Sequence, residues 1–238
     1  MRRFFPERIE DGIAYFSAEE SRHMAKVLRM QPQDKIIVPE GRGEWVCELV
    51  KVSVDGCTAK TLTYGGCNAE PKKKLTLYMA YTKSDKMELC VQKAVELGVS
   101  SFVPFISSRC VKIPDDAGAK KANARFKRIA FEAVKQCGRA NEAEILLPIS
   151  FEELLKSVSE HELTLFAYEA SEGSLKDCFN SKADDYALVI GPEGGFTPYE
   201  AEQITKAGAK NVSLGTRILR AETAAIALAA ITAYESGC

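Results

Sequence analysis

Ile190-Gly-Pro-Glu-Gly-Gly-Phe196 and Leu214-Gly-Thr-Arg-Ile-Leu-Arg-Ala-Glu-Thr-Ala224 are the two stretches that decide the fold. Each follows a short apolar run, residues 186–190 and 211–214, that reads as a buried parallel strand. Each then leads into a helical pattern, so both loops fall at the carboxyl ends of strands. Open α/β sheets bind ligands there, in the crevice outside the strand ends. Glycine at such a place lets the chain turn with positive φ and lets a ligand approach the main chain closely. No Gly-Lys-Ser/Thr follows either loop, which disfavours a phosphate-cradling P-loop.

Outward from these loops, strands and helices alternate from Leu75 onward. Residues 75–81, 101–106, 145–147 and 163–167 read as further strands. Residues 83–98 form an amphipathic helix with Met87, Val91, Ala94 and Val95 on one face and Gly98 as its stop. Residues 125–137 lie in a long basic helix, and further helices begin near Ser150, Pro198 and Ala221. Alternation at this spacing predicts a parallel sheet covered on both faces. The final helix is apolar all round from Ala224 to Ile231, so it must be buried on every side. A subunit interface is the simplest way to cover it, most often a twofold dimer. The alternative is a central helix under a covering loop.

Residues 1–70 read differently, as a small β-rich unit. Strands are predicted at 12–16, 35–38, 44–52 and 58–63, with one helix from a Ser17/Glu20 capping box to about Leu28. Short, closely spaced strands with one helix predict a compact barrel. A Pro- and Lys-containing linker, residues 67–74, separates this unit from residues 71–238.

The formal net charge of −1 conceals an asymmetry. Residues 71–140 hold 15 Lys/Arg against 6 Asp/Glu, a net of +9, whereas residues 141–238 hold 7 against 16, a net of −9. A basic segment inside a neutral protein points to a polyanion footprint, although solvated helix faces would give the same count. The eight cysteines, 47, 57, 67, 90, 110, 137, 178 and 238, form no C-x-x-C pair, and the histidines do not cluster, so no metal is expected. Most are expected to be small buried filler rather than disulfides. No run reaches the roughly 18 apolar residues of a membrane span, and no signal peptide is evident, so a soluble cytoplasmic protein is expected.

Lys93-Ala-Val-Glu-Leu-Gly98, Ser108-Arg109, Glu132-Ala-Val-Lys-Gln-Cys-Gly-Arg139, Gly191-Pro-Glu-Gly-Gly195 and Ile218-Leu-Arg-Ala-Glu-Thr-Ala224 together resemble the small-subunit ribosomal-RNA uridine-N3 methyltransferases of the SPOUT class. His23-Met-Ala-Lys-Val-Leu-Arg29 resembles the motif of that family's N-terminal domain, and Gln33 departs from it where a Gly-Asp turn is usual. The resemblance implies a PUA-like RNA-binding β-barrel at 1–70. At 71–238 it implies a SPOUT-type parallel sheet with a C-terminal trefoil knot, acting as a homodimer with S-adenosyl-L-methionine as cofactor.

On that reading Gly191, Pro192, Gly194, Leu214, Gly215, Ile218 and Leu219 make the cofactor pocket, with Ile218 and Leu219 as apolar walls. Arg220 binds the uracil oxygens or phosphate and stabilises the uracil anion. Glu222 either accepts a proton or serves as a helix N-terminal carboxylate. Gln136 and Arg139, three apart on one helix face, are candidates for target-base contacts. Arg109, Arg125, Lys127 and Arg128 contact ribosomal RNA, with Lys72–Lys74, Lys120 and Lys121 extending the footprint. Two alternatives stay open: methylation of another position, such as a ribose 2′-hydroxyl, and a noncatalytic ribosome-assembly factor.

Overall fold

The computed structural model describes residues 1–169, 173, 175–179 and 183–237. The chain divides into two compact units, residues 1–70 with 134–141, and residues 71–133 with 142–238. The short segment 134–141 therefore belongs with the first unit, although the linker after Cys67 had suggested a single cut.

The first unit carries β1 (Arg2–Arg3), β2 (Arg8–Glu10), β3 (Ile13–Tyr15), α1 (Ala18–Arg22), a π-turn (His23–Val27), β4 (Lys35–Glu40), β5 (Gly43–Lys51) and β6 (Thr58–Gly66). They form one six-stranded sheet in the order β1-β4-β5-β6-β3-β2. It surrounds a core of Phe4, Ala14, Phe16, Met24, Ile36, Val38, Cys47, Leu49, Cys57 and Ala59. No ladder joins β1 to β2 among the described residues, so the ring expected of a closed barrel is left open between its edges.

Ser17 caps α1 by accepting a hydrogen bond from the Glu20 backbone N–H, as the capping-box reading requires. The reciprocal half is replaced. Glu20 turns instead to Lys135, with Nζ 2.8 Å from its carboxylate. Gln33 holds a φ of 76°. An L-residue is strained there, and a short backbone bond from its N–H to Leu49 O at 2.7 Å pins it.

The second unit contains β7 (Lys74–Ala80), α2 (Ser84–Glu96), β8 (Ser101–Phe105), α3 (Asp116–Cys137, its last turn grouped with the first unit), β9 (Glu144–Ile145) and α4 (Phe151–Val158). It continues with β10 (Leu163–Ala167), α5 (Leu175–Cys178), β11 (Asp185–Ile190), α6 (Pro198–Lys206), β12 (Lys210–Val212) and α7 (Ala221–Ser236). The strands form one all-parallel sheet in the order β12-β10-β11-β7-β8-β9. Near-continuous apolar strands such as Leu75 to Ala80 and Tyr186 to Ile190 are buried, as both-sided covering demands. Because β10 lies between β11 and β12, the carboxyl ends of these three strands are neighbours.

Helix α7 buries Ala221, Ala225, Leu228, Ala229 and Thr232 and packs against α2, β7 and β11. Its other face stays open, with Ile231 38% and Tyr234 85% exposed. Of the seven described cysteines, all are free; five are buried, and burial pushes the thiols of Cys47 and Cys90 up to about 11 and about 12. The buried ones pack as small apolar side chains. Cys238 lies outside the described residues. No helix is long and apolar enough to cross a membrane, and no group of metal-ligating side chains forms, both among the described residues.

Candidate active site

The two glycine loops, residues 191–197 and 213–220, meet over the carboxyl ends of β10, β11 and β12 and line one cleft. The cleft is partly open to solvent and holds a cavity of about 150 Å³. Gly191, Pro192, Leu214, Gly215, Ile218 and Leu219 all line it, as the sequence predicts.

Gly194 does not. A Cβ added there would meet the Arg109 side chain at 3.4 Å. Gly195 takes its place in the lining, with a φ of 66° and its N–H bonded to Pro192 O at 2.9 Å. That tight turn needs a residue tolerant of positive φ. Gly215, at φ 108°, plays the same part in the second loop, its N–H bonding Ser213 Oγ at 3.3 Å.

The first loop is braced from behind by the segment after β8. Arg109 donates from Nη1 to Gly194 O at 2.9 Å and to Phe196 O at 3.4 Å. Its place in the predicted phosphate footprint is thus shared with a structural task. The Ser108 N–H donates to Glu200 Oε1 at 2.9 Å, while Thr197 N–H and Oγ1 donate to Oε2 at 2.8 and 2.9 Å. Burial raises the Glu200 pKa, but the hydrogen bonds from Thr197 and Ser108 outweigh it, and the carboxyl sits below its usual range. A depressed pKa contributes stability that is present above the ordinary glutamate value and lost as pH falls through the folded one. Glu200→Gln is expected to lower stability near neutral pH by about 1–3 kcal/mol. Denaturant melts should show its gap from wild type closing as pH drops below about 4.3; a gap constant with pH would contradict this account.

Arg220 is the N-cap of α7 and stands between two cleft-lining residues, Leu219 and Ala221, with its side chain exposed and making no cap bond. Glu222 sits in the first turn of α7 but outside the lining, its carboxylate 13% exposed and 3.4 Å from Lys86 Nζ. Of its two predicted roles, this placement suits the helix N-terminal carboxylate.

Gln136 and Arg139 do not share a helix face. α3 ends at Cys137, Gly138 turns the chain at φ 83°, and Arg139 lies beyond. Arg139 is buried, 3% exposed, with Nη2 3.2 Å from Glu70. Glu70 also accepts the backbone N–H groups of Ala140 and Asn141, so this cluster fastens 134–141 to the first unit. Gln136 is exposed and lines a separate groove of that unit with Arg2, Arg3, His23 and Lys135. On α3, Arg125 pairs with Glu88 at 2.7 Å, while Lys127 and Arg128 stand exposed.

Sequence reasoning missed Tyr168 and Glu169, which extend β10 into the cleft. Their only signal is position: they follow the third strand end beside the two glycine loops, without a glycine to mark it.

The family model of an RNA methyltransferase domain matches residues 69–233, and that of an RNA methyltransferase PUA domain matches residues 16–62. The chain belongs to this RNA methyltransferase family. Ribosomal RNA small subunit methyltransferase E of Bacillus subtilis is 35% identical, over 98% of this chain and 96% of that protein. The protein of the same name from Mesomycoplasma hyopneumoniae is 31% identical over 96% and 97%. The crystal structure of ribosomal RNA small subunit methyltransferase E from Neisseria gonorrhoeae bound to S-adenosyl methionine superposes with a TM-score of 0.87 at 31% identity, covering 98% and 97%.

Proposed function

We propose that this chain transfers a methyl group from S-adenosyl-L-methionine to N3 of a uridine in small-subunit ribosomal RNA. The observation that carries the reading is the cleft itself, in which both glycine loops converge on three strand ends in a chain of this family.

The cleft fits the cofactor. An added Cβ at Gly191 would lie 2.8 Å from the Phe196 ring, so only glycine lets the loop backbone pack this close to that ring. Main-chain N–H and C=O groups of 191–195 and 213–219 suit the edges of an adenine, and Ile190, Leu214 and Leu219 give apolar walls. The Glu169 carboxylate at the rim suits ribose hydroxyls or an ammonium. S-adenosyl-L-methionine supplies an electrophilic methyl on a sulfonium. Arg220 supplies the matching electrostatics on the acceptor side: the N3 proton would pass to water, N3 would take the methyl as the thioether departs, and the guanidinium stabilises the anion's charge across the uracil oxygens. The base must leave its stack to arrive there.

The first unit grips the RNA as a PUA-like domain, with Gln136 in its basic groove, and Lys127 and Arg128 add phosphate contacts from α3. The second glycine loop and α7 form the trefoil knot the family resemblance implies. The protein acts in the cytoplasm as a homodimer. The exposed Ile231 and Tyr234 on an otherwise apolar α7 support a second copy as the cover. Ile231→Asp is expected to convert a dimer to a monomer in sedimentation-velocity runs; an unchanged sedimentation coefficient would place the interface elsewhere.

The deciding experiment supplies purified protein with methyl-labelled cofactor and small ribosomal subunits, then maps the RNA by mass. Label on one uridine N3 is expected. Label on a ribose oxygen, or none, would overturn the reading.

A further inference from the structure

The first turn of α2 contains a lysine, Lys86, in a position that helix electrostatics disfavour, because the positive end of the helix dipole lies there. What offsets this is a pair of carboxylates. Lys86 Nζ is 3.4 Å from Glu193 Oε1 and 3.4 Å from Glu222 Oε2, and its side chain is 21% exposed. Desolvation pulls the ammonium's pKa down, and the two carboxylates more than restore it, so the group stays charged.

The three residues come from three different elements. Glu193 lies in the first glycine loop and lines the cleft. Glu222 opens α7, directly after the second glycine loop. α2 lies against α7 and supplies the cation between them. Among the described residues Glu222 Oε2 is buried without a hydrogen-bond partner, so the ion pair to Lys86 is what compensates its desolvation.

We infer that Lys86 is a positioning residue that ties the two glycine loops together, so that both walls of the cleft hold the spacing S-adenosyl-L-methionine requires. Without it, two carboxylates that share one cation would face each other, and repulsion would separate the loops. Lys86 itself does not line the cleft, so its effect on a bound ligand is indirect. The inference rests on S-adenosyl-L-methionine being the ligand of this cleft.

The test is calorimetric titration of the full chain with S-adenosyl-L-methionine, alongside kinetics at saturating cofactor. Lys86→Met is expected to raise Kd by about tenfold or more, since displaced walls cost binding steeply, with kcat at saturation changed less than about threefold. Lys86→Arg, which keeps the charge, is expected to return Kd to within about threefold of wild type. A merely structural lysine would lower the melting temperature of the free protein and leave Kd, measured well below it, unchanged; that result overturns the inference. Should Lys86→Met fail to fold, Glu193→Gln removes one arm of the clamp from a loop residue, and an unchanged Kd there overturns it equally. Wild-type protein that does not bind S-adenosyl-L-methionine would instead sink the proposed cofactor.

Discussion

Arg220→Ala is expected to slow methyl transfer by about 10²–10³-fold while leaving cofactor affinity within about threefold of wild type. The magnitude is that of removing one preorganised group from a developing anion. Arg220 is suited to the role because, among the described residues, no hydrogen bond or ion pair engages its side chain. Its backbone is extended, at φ −65° and ψ 153°, and its side chain makes no cap bond to α7. A cation at a helix N-terminus opposes the dipole, and N-caps favour Ser, Thr, Asp or Asn. The alanine variant should therefore fold as well as wild type, which separates lost chemistry from lost structure. Single-turnover transfer to naked RNA and to assembled subunits gives the measurement. Near-normal rates on both would remove Arg220 from the mechanism.

Most of the second unit could be read from the chain because parallel strands buried on both faces leave an unmistakable pattern. Leu163–Ala167 is found where the apolar run places it, and Pro198 opens α6 after a Thr197 cap with Glu200 three residues on. The glycine loops were readable for the same local reason: positive φ at Gly195 and Gly215 requires glycine. What the chain concealed was non-local. Gly194 and Gly195 are adjacent and identical, and only the position of Arg109 behind the loop decides which faces the cleft. Arg139 looked like a surface contact because helical spacing was extended one residue past Gly138. Its true partner, Glu70, is 69 residues away. Lys86 gave no signal at all, since its two carboxylates come from positions 193 and 222. β1 and β2 were not legible because Arg2–Arg3 and Arg8–Glu10 are mostly charged and carry no apolar run or alternation.

Phe196→Ala is expected to cost about 3–5 kcal/mol of stability, the range for deleting a buried aromatic ring, and to weaken cofactor binding as well. Phe196 closes the first glycine loop and is 4% exposed. Its ring stacks on Phe105 at 6.3 Å and meets Phe166 edge-on at 5.2 Å, so the core beneath the loop is aromatic on two sides. The same ring supports Gly191, whose missing Cβ would stand 2.8 Å from it. Removing the ring therefore opens a cavity under the backbone that is to hold the cofactor. Phe102→Ala is the matched control. Phe102 is fully buried near the amino end of β8, a strand that lies beyond β7 from β10, β11 and β12, whose ends carry the cleft. Both variants should lose comparable stability in denaturant melts. Only Phe196→Ala should also raise Kd for S-adenosyl-L-methionine. In wild type, ligand at 100 times Kd adds about 2.7 kcal/mol to stability; at that same fixed concentration Phe196→Ala should gain measurably less, and Phe102→Ala the full amount. Equal gains in all three proteins would mean that the glycine loop keeps its shape without the ring. The first cleft wall would then owe its form to Arg109 and the Glu200 hydrogen bonds alone.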